Sequence, residues 1–543
     1  MFSHKRKLKI IIHSSQVRRE NYEETDKALS RHDGGLPHDG RMRTDQKDQA
    51  VPQDVLIVNV TGDPQSFNPD MKSDDYAWPI NQNIYSRLVK LNSDDQVIPD
   101  LAESWEFSDD GMKLTFHLKK DVKWHDGEAL TSEDVKWTFD TMIANKWSKS
   151  DSLASVESIE CPDDLTVVLN MKVKDVSIVS KLGWYATFIM PEHIWNDPQY
   201  KDFTSNPANW QPVGSGPYKF DNYKSGVATT LVKNSDYFDG EPIIEKLIFT
   251  IVPDSTTAFQ SFVNGEIDYF NIIVPTANKH DLDNNPDYRF FDYISINRTY
   301  LTFNMKEGRF TDPRLRQAVA KGVDRQGIFD RVSNGAGALA EYFISPLWEG
   351  KYLDKQYRMP ERDIEGAKKL IEEAGYTMDE DGYYFSMTLD SFDDGNFKDI
   401  AQIVKENLKE IGINVNLNIM EMAAWQDKVM GENPDFEMTM LAGYQGPDVS
   451  GVAGRVASNG GTNVGMYNNP EMDAALQAAV EIDDVQERAK YYSEVQRMMY
   501  EDMPMVFLFE NGDHQPVKIS LDGTPRDVPD KAASNEFTYT MFK

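Results

Sequence analysis

The sequence contains a single cysteine, Cys161, among 543 residues. One cysteine cannot form an internal disulfide, and no CxxC motif or combined Cys/His spacing is present to hold zinc or an iron–sulfur cluster. Long hydrophobic runs are also missing, because no segment approaches the ~18 consecutive apolar residues of a membrane-spanning helix. The chain is therefore not built around disulfides, a cysteine-based metal centre or bilayer spans.

Catalytic signatures are absent as well. The sequence has no nucleophile elbow, zinc-protease helix, P-loop or EF-hand loop. Five histidines are scattered singly, and each is interpreted as a structural residue: His117, His125, His193, His280 and His514. The sequence thus predicts no catalytic residue, no metal ligand and no cofactor, and it indicates a protein that is not an enzyme.

Basic residues are in short supply, with 57 Lys and Arg against 89 Asp and Glu and a formal net charge of −32. Nucleic-acid-binding proteins concentrate positive charge to neutralise phosphates, so this balance argues against a nucleic-acid partner and against docking on an anionic membrane. A length prior of ~150 residues per domain gives three or four domains.

Residues 1–50 differ from the rest of the chain. They carry a net charge of +3, whereas the remainder carries −35, and they contain four of the nine histidines. Only Leu8 and Ile10–Ile12 follow the basic start as apolar residues, fewer than the ~7–15 of a secretory signal peptide. The composition predicts that residues 1–54 are disordered, and it raises two alternatives: the protein stays inside the cell, or this segment is not the true N-terminus.

Two turns punctuate residues 101–140, LAESWEFSDDGMKLTFHLKKDVKWHDGEALTSEDVKWTFD. Asp109-Asp110-Gly111 predicts a hairpin between strands at 104–107 and 113–118, and Asp126-Gly127 predicts a second turn. A helix is expected to start at Thr131 or Ser132, before Glu133 and Asp134.

Residues 386–443 predict a β-α-β-α-β unit. The helix between its first two strands carries apolar residues at helical spacing, namely Ile400, Ile403, Val404, Leu408 and Ile411. In parallel units, ligands bind in the loops at the carboxyl ends of the strands. The loop AGYQGPDVSGVAGR at 442–455 is therefore the pocket predicted from spacing, with Tyr444, Asp448 and Arg455 as its aromatic face and its two charges.

Seven motifs follow one another in the order known from one family. In chain order they are DPQSFNP at 63–69, the 101–140 segment, PVGSGPYKF at 212–220, KNSDYFDGEP with FVNGEIDYF at 233–270, FTDPRLRQAVAKGVDR at 310–325, AKKLIEEAGY at 367–376, and YNNPEMDAAL through ERAKYYSEVQRMMYEDMP at 467–504. Residues 55–542 resemble the extracytoplasmic solute-binding proteins of peptide- and nickel-type ABC importers, solute-binding family 5.

The resemblance implies an α/β fold, a two-lobed clamp of the periplasmic-binding-protein type II with an extra inserted domain. Mapped onto this chain, the core of lobe I comprises 55–88, 213–306 and 505–543. The inserted domain comprises 89–212, and lobe II comprises 307–504. The lobes are expected to close over the ligand by a hinge.

The resemblance also implies substrate-binding residues. Tyr444 takes the place of an aromatic pocket residue, and Asp448 is the nearest match to an aspartate that grips a peptide amino terminus, one position later because Pro447 stands in the expected place. Arg455 is a candidate for a ligand carboxylate or for a structural ion pair. The opposite wall is predicted at Asp75, Tyr76 and Trp78 and at Tyr300 and Asn304, residues that can equally serve packing.

The expected function is capture of an oligopeptide or dipeptide by a monomeric, extracytoplasmic protein that delivers it to the permease subunits of an ABC importer. One alternative is a binding protein for a nickel or other metal–chelator complex, or for another small solute. A second alternative is a hydrolase with two carboxylates facing each other ~5–10 Å apart. A third is a cytosolic structural or interaction protein, which the missing export signal favours.

Overall fold

The described residues form five sheets, three of four or more strands and two of two strands. The structure is a computed structural model that describes residues 54–92, 96–184, 187–200, 202–393, 395–431, 433–528 and 535–543. Apart from Asp54, the predicted disordered segment lies outside the described residues. Among the helices of the described ranges, none combines the length and apolar character needed to cross a membrane.

The first sheet forms the core of lobe I and has the strand order β1-β10-β9-β8. Its strands are β1 (Val55–Val60), β8 (Tyr218–Lys224), β9 (Ala228–Lys233) and β10 (Lys246–Ile251). β1 pairs in parallel with β10, and the other neighbours are antiparallel. Leu56, Val58, Leu247 and Phe249 are completely buried on its inner face. The helices attached to this part of the chain are α1 (Trp78–Ile84) and α5 (Ser255–Val263).

An antiparallel sheet of order β4-β5-β7-β6 lies in the segment between β1 and β8. Its strands are β4 (Ala102–Phe107), β5 (Lys113–Leu118), β6 (Val156–Asp163) and β7 (Thr166–Met171). A short antiparallel pair, β2 (Val89–Leu91) and β3 (Val97–Pro99), precedes it. The helices here are α2 (Ser132–Asn145), α3 (Ile178–Leu182) and α4 (Glu192–Trp195).

The punctuation predicted for residues 101–140 is confirmed. β4 and β5 form the predicted hairpin, closed by a hydrogen bond from Gly111 N to the Ser108 carbonyl oxygen at 2.8 Å. α2 begins at Ser132 after the cap residue Thr131, whose backbone N–H donates to the Asp134 carboxylate at 2.9 Å. The turn and cap residues within this segment therefore account for where its hairpin closes and where its helix begins.

A six-stranded sheet has the order β12-β16-β11-β15-β13-β14; it joins strands from the range mapped to lobe II with β11 and β16, which lie in the ranges mapped to lobe I. Its strands are β11 (Tyr288–Phe303), β12 (Ala338–Leu339), β13 (Phe385–Phe392), β14 (Ile413–Met420), β15 (Met438–Tyr444) and β16 (Met505–Lys518). The helices are α6 (Pro313–Gly322), α7 (Arg325–Val332), α8 (Ile364–Glu373), α9 (Phe397–Glu410), α10 (Met422–Met430), α11 (Ala453–Val456), α12 (Pro470–Val480) and α13 (Val485–Asp502).

The β-α-β-α-β unit predicted from residues 386–443 is confirmed as β13-α9-β14-α10-β15. β13 pairs in parallel with both β14 and β15. Ile400, Val404 and Leu408 of α9 are buried, because their spacing puts them on the helix face that packs on the sheet. The carboxyl end of β15 therefore lies at the edge where parallel units bind ligands.

β11 and β16 connect the two lobes. They pair antiparallel from Tyr288 to Thr302, with a register shift between Ile294 and Arg298. Val517 of β16 belongs to the core of lobe I, whereas Val506 belongs to the core of lobe II. The two lobes thus share a continuous pair of strands.

The end of the chain returns to lobe I, where β17 (Leu521–Asp522) pairs with β18 (Met541–Phe542). Glu536 and Lys90 form a buried ion pair at 2.9 Å, with side-chain exposures of 5% and 2%. Nearby, the Phe537 backbone N–H donates to Asn83 Oδ1 at 3.1 Å. Residues separated by more than four hundred positions therefore complete one core.

Candidate functional site

The predicted pocket loop begins at the carboxyl end of β15, where Tyr444 is the last residue of the strand. Arg455 follows in the short helix α11, and its guanidinium lies over Gly443. A Cβ atom at Gly443 would stand 2.3 Å from Arg455 Nη2, so a side chain there would displace the arginine. Glycine at this position therefore allows the charged group to lie against the strand.

Tyr444 contacts the opposite lobe directly. Its ring stacks on Trp184, which follows α3, with ring centroids 4.2 Å apart and an interplanar angle of 7°. Trp184 in turn lies 6.3 Å from Trp78, and Trp78 lies 5.6 Å from Phe188. The predicted residues Tyr444 and Trp78 thus belong to one line of aromatic rings that crosses between the lobes, linked by a tryptophan that the sequence analysis did not single out.

Two further contacts accompany this stack. The Val176 backbone N–H donates to the Val480 carbonyl oxygen at 2.9 Å, and Lys174 forms an ion pair with Asp483. Both join the segment before α3 to the end of α12 or the turn after it. The structure therefore has its two lobes in contact on this side of the molecule.

Arg455 is 9% exposed, and its Nε atom donates to the hydroxyl of Tyr300 at 3.3 Å. Within the described part of the chain, no carboxylate forms an ion pair with it. Arg298 is a charged neighbour of Arg455, and it pairs with Glu510 at 2.9 Å; the side chains of Arg298 and Glu510 are completely buried. Arg455 thus adds a second positive charge close to an arginine that is already paired, and the region has the electrostatic character of a site for an additional anion.

Burial raises the pKa of Glu510, and the guanidinium of Arg298 opposes this shift. Arg298 also donates to the carbonyl oxygens of Phe343 at 2.8 Å and Tyr342 at 2.5 Å. Both Nη atoms of Arg298 are thus directed at fixed protein groups, although its Nε atom has no partner among the described residues, whereas Arg455 has only the Tyr300 hydroxyl as a hydrogen-bond acceptor there. Arg455 is the arginine with the capacity to bind something else.

Gln445 follows Tyr444 and is completely buried. Neither its Nε2 nor its Oε1 atom has a hydrogen-bond partner among the described residues. A buried amide without partners is destabilising by roughly 1–3 kcal/mol, so its presence in a folded protein calls for a reason. Sequence reasoning missed this residue because one glutamine in a loop carries no pattern.

Asp448 is held by a bidentate ion pair. Its two carboxylate oxygens accept from Arg488 Nη1 at 3.0 Å and from Arg488 Nη2 at 2.5 Å. Oδ1 also accepts from the Ser450 backbone N–H at 2.9 Å, which caps the turn that follows. A ligand amine would therefore share this carboxylate with an arginine, and the role of amine anchor stays a prediction.

The structure does not bring the other predicted residues into this group. Asp75 is exposed, and Tyr76 is 42% exposed with its ring over Gly62. Asn304 lies beyond the far end of β11, where Phe303 pairs with Met438, six residues along β15 from Tyr444. At ~3.3 Å per residue this separates Asn304 from Tyr444 by roughly 20 Å.

Asn304 instead caps the turn that follows β11, accepting from the backbone N–H groups of Lys306 and Glu307. It also lines a cavity of about 370 Å³ together with Arg309 and Glu437. A second cavity, of about 400 Å³, lies against α2 beside Trp137 and Phe203. Neither cavity includes Tyr444 or Arg455, so the contact region between the lobes is distinct from both.

We call the group Trp78, Trp184, Tyr300, Tyr444, Gln445 and Arg455 the interlobe cluster. It combines flat aromatic surface, an amide with an unused donor and an unused acceptor, and a buried cation without an ion-pair partner in the described residues. The described residues of the cluster include no nucleophile paired with a general base. Its chemistry is that of reversible binding.

A profile of the bacterial extracellular solute-binding proteins, family 5 Middle, matches residues 96–463. The chain belongs to this family. The family resemblance stated from the motifs and the two-lobed α/β fold are thereby confirmed. The members it resembles are solute-binding proteins of ABC transporters and not enzymes.

Among curated relatives, the oligopeptide-binding protein AppA of Bacillus subtilis is 30% identical over 483 residues, covering 86% of this chain and 88% of AppA. Heme-binding protein A of Haemophilus influenzae is 28% identical over 475 residues, covering 82% and 84%. These two names describe different ligands. The family is therefore shown, while the ligand of this chain has to be argued from its own residues.

Solved structures agree with this assignment. The substrate-binding protein CtaP of Listeria monocytogenes has a TM-score of 0.80 at 25% identity, covering 91% of this chain and 100% of CtaP. AppA of Bacillus subtilis, solved in complex with a nonapeptide, has a TM-score of 0.77 at 28% identity, covering 91% and 100%.

Proposed function

We propose that this protein captures peptides outside the cytoplasm and delivers them, chemically unchanged, to the permease subunits of an ABC importer. The observation that carries the proposal is the buried side-chain amide of Gln445, the residue after Tyr444, which has an unused donor and an unused acceptor among the described residues. A peptide group offers the complementary acceptor and donor. The relative AppA, which is named for oligopeptide binding, supports the same ligand class.

In this proposal the other members of the interlobe cluster have distinct roles. Tyr444 and Trp184 supply flat apolar surface on the two lobes, and Arg455 pairs with a carboxylate of the peptide. Closure of the lobes by rotation about β11 and β16 would desolvate these contacts. Asp448 remains the proposed acceptor for the amino terminus, in competition with its role in holding Arg488.

The experiment compares Gln445→Met with the parent protein. Methionine is similar in length but has no amide, so the variant removes the unpartnered polar atoms and leaves the ligand-free protein as stable or more stable. Peptide affinity, measured by calorimetry with a defined set of tri- to nonapeptides, is expected to fall about 10-fold, which corresponds to one or two neutral hydrogen bonds.

A matched control is Asn170→Leu, which removes an exposed amide on β7 that donates to Ser158 Oγ and Glu160 Oε1. It should leave peptide affinity unchanged. Peptide affinity equal in Gln445→Met and the parent would contradict the role of Gln445. Binding of nickel–histidine complexes or other small solutes, with no peptide bound, would favour the alternative ligand class.

Mass spectrometry of the peptides after incubation tests the remaining alternative. Peptides recovered intact agree with capture and delivery, whereas cleavage products that depend on the protein would point to a hydrolase.

A further inference from the structure

The structure brings His280 and His514 together, although the sequence analysis treated them as isolated. Their ring centroids lie 5.2 Å apart, on the lobe I side of the strands that join the lobes. Asp283 lies between them, and Asp292 stands directly opposite His514 in the pairing of β11 with β16. We call His280, Asp283, Asp292 and His514 the junction cluster.

Asp283 faces both imidazoles. One carboxylate oxygen, Oδ2, lies 2.9 Å from His280 Nδ1, and the other, Oδ1, lies 2.9 Å from His514 Nε2. One donor atom from each of the three residues can be chosen so that all three lie within 4.8 Å of one another. Three potential metal ligands therefore converge on one small volume.

The second nitrogen of each ring lies within hydrogen-bonding distance of a different acceptor oxygen. His280 Nε2 lies 2.9 Å from the carbonyl oxygen of Asn334, and His514 Nδ1 lies 2.5 Å from Asp292 Oδ1. A carbonyl oxygen and a carboxylate both accept hydrogen bonds, so a neutral ring can carry its hydrogen on this nitrogen and keep the nitrogen that faces Asp283 available for a cation.

In that tautomer, His280 Nδ1 and His514 Nε2 both direct a lone pair at Asp283; in the absence of a metal ion, each of these nitrogens can instead carry a proton and donate to the carboxylate. Two lone pairs and a carboxylate repel one another unless a proton or a cation lies between them. The arrangement is the one found around metal ions, where each ligating histidine donates its other N–H to a carboxylate or a backbone carbonyl.

We propose that the junction cluster is a binding site for a divalent transition-metal ion of the zinc–nickel class, with His280, His514 and Asp283 as ligands. Imidazole nitrogen is a preferred ligand of these metals, and three protein ligands leave a position open for water. Asp292 and the Asn334 carbonyl oxygen are positioning groups that fix the two rings.

The surroundings favour loading of the site. The side chains of His280 and Asp283 are 49% and 38% exposed, so an ion can enter without local unfolding. The ring of His514 is 16% exposed and stacks on Phe290, with centroids 4.3 Å apart and an interplanar angle of 6°. One ligand is therefore rigid, and the other two can adjust by the few tenths of an ångström that a metal requires.

The site is separate from the interlobe cluster and does not depend on the proposed function. Its place in the fold gives it a possible mechanical role, because Asn334 follows α7 of lobe II whereas the histidines belong to lobe I segments. Lys279 Nζ also donates to the Ser333 carbonyl oxygen, at 3.1 Å, in the same contact. An ion bound here would fix the loop of residues 276–285 against the strands that connect the lobes.

The test uses the full chain without an affinity tag, freed of metal by a chelator and titrated with Zn²⁺ in competition with a chromogenic chelator. The parent protein is expected to bind one more equivalent of Zn²⁺ than the double variant His280→Ala/His514→Ala. The histidines of residues 1–50 are common to both proteins, so any binding there cancels in the comparison. Mg²⁺ in large excess should not displace the ion.

Control and positioning variants sharpen the result. His193→Ala removes a histidine that is paired with a single carboxylate, Asp126, at 2.8 Å, and it should leave the number of Zn²⁺ equivalents unchanged. Asp292→Asn should keep the site but weaken it about 10- to 100-fold, the usual effect of losing a group that orients a ligating histidine. Co²⁺ bound to the parent should give visible absorption that the double variant lacks.

Equal stoichiometry and affinity in the parent and the double variant would overturn the proposal. Displacement by Mg²⁺ at comparable concentration would also overturn it, because it would reduce the cluster to an acidic patch. Melting temperatures in the presence of chelator check that each variant is folded. If the alanine variant is not, His280→Gln/His514→Gln, which keeps side-chain volume and polarity, is measured in its place.

Discussion

Trp184 and Tyr444 stack face to face across the two lobes, with ring centroids 4.2 Å apart. Trp184 follows α3 in the segment between β1 and β8, whereas Tyr444 is the last residue of β15. It is the point at which the predicted pocket loop touches the opposite half of the molecule, and so the place where ligand binding and lobe contact can be measured with the same variants.

We expect Trp184→Ala and Tyr444→Ala each to weaken peptide binding, because each removes aromatic surface from one lobe. In a double-mutant cycle on affinity, the coupling between them should be about 0.5–1.5 kcal/mol, the usual range for an aromatic pair. The control is the stack of Trp210 on Tyr223, with centroids 5.6 Å apart and an angle of 10°, in which both rings lie in lobe I. Trp210→Ala should leave peptide affinity unchanged.

Additive effects of Trp184→Ala and Tyr444→Ala on peptide affinity would mean that the stack of Trp184 on Tyr444 is not part of the binding site.

Arg455→Gln should weaken binding of peptides with a free carboxylate by about 1.5–3 kcal/mol, because the ligand loses a hydrogen bond to a charged group. Uncharged peptides, amidated at the C-terminus and free of acidic side chains, should be affected much less. Arg309→Gln, at the far end of the lobe II sheet, provides the matched control. Equal losses for both kinds of peptide in calorimetric titrations would show that Arg455 acts through packing alone.

Asp448 has a structural role, its ion pair with Arg488, and a proposed role in binding a peptide amino terminus. The variant Asp448→Asn tests both roles with different measurements. Asp448→Asn leaves Arg488, whose side chain is 5% exposed, without its carboxylate partner, so the free energy of unfolding should fall by about 3 kcal/mol. Glu501→Gln, which breaks the exposed pair with Arg497, should change it by less than about 1 kcal/mol. If Asp448 also binds the amino terminus, the variant will discriminate between free and N-acetylated peptides. Equal affinity changes for both would limit its role to the loop.

His125 predicts a measurable pH dependence of stability. Its Nδ1 accepts from the Gly214 N–H at 3.2 Å and its Nε2 donates to the Gly216 carbonyl oxygen at 3.0 Å, an arrangement that needs the neutral ring. Burial is the main cause that lowers the pKa of His125 from 6.5 to about 4. Between pH 6.5 and about pH 4, the unfolded chain therefore binds more protons than the folded chain. The contribution of neutral His125 to the free energy of unfolding is complete above pH ~6.5 and is lost as the pH falls towards 4.

The contribution lost between pH 7 and pH 5 is about 2 kcal/mol. In His125→Gln, the amide can replace the donor and acceptor without titrating. The free energy of unfolding of this variant, measured with denaturant, should therefore fall less between pH 7 and pH 5 than that of the parent. A slope identical to that of the parent would mean that His125 becomes protonated in the folded state at no cost.

The sequence predicted those parts of the fold that are encoded locally. The hairpin at Gly111, the helix start at Ser132 and the β13-α9-β14-α10-β15 unit depend on turn residues, caps and periodicity within a short window. The candidate site depends on tertiary contacts instead. Trp184 contacts Tyr444 only because the lobes are in contact. The sequence around Trp184, just after a short helix, contains no pattern that predicts a contact with the other lobe.

The junction cluster shows the same limit more sharply. His280 and His514 are separated by more than two hundred residues, so their spacing along the chain could not suggest that they share a carboxylate. Only the pairing of β11 with β16 puts Asp292 beside His514. Gln445 was missed for a different reason, since its lack of partners is a property of its burial and not of its residue type.

The ion pair between Lys90 and Glu536 has a consequence for the order of events during protein synthesis. Lobe I begins with β1 but is completed by residues near the end of the chain, among them Val517 and Phe537. While a ribosome is still translating lobe II, the nascent chain cannot bury Lys90 with its partner, and the lobe I core lacks part of its apolar contacts. Although domains commonly fold in the order of their synthesis, the core of this lobe can be completed only after the strands and helices of lobe II have been synthesised.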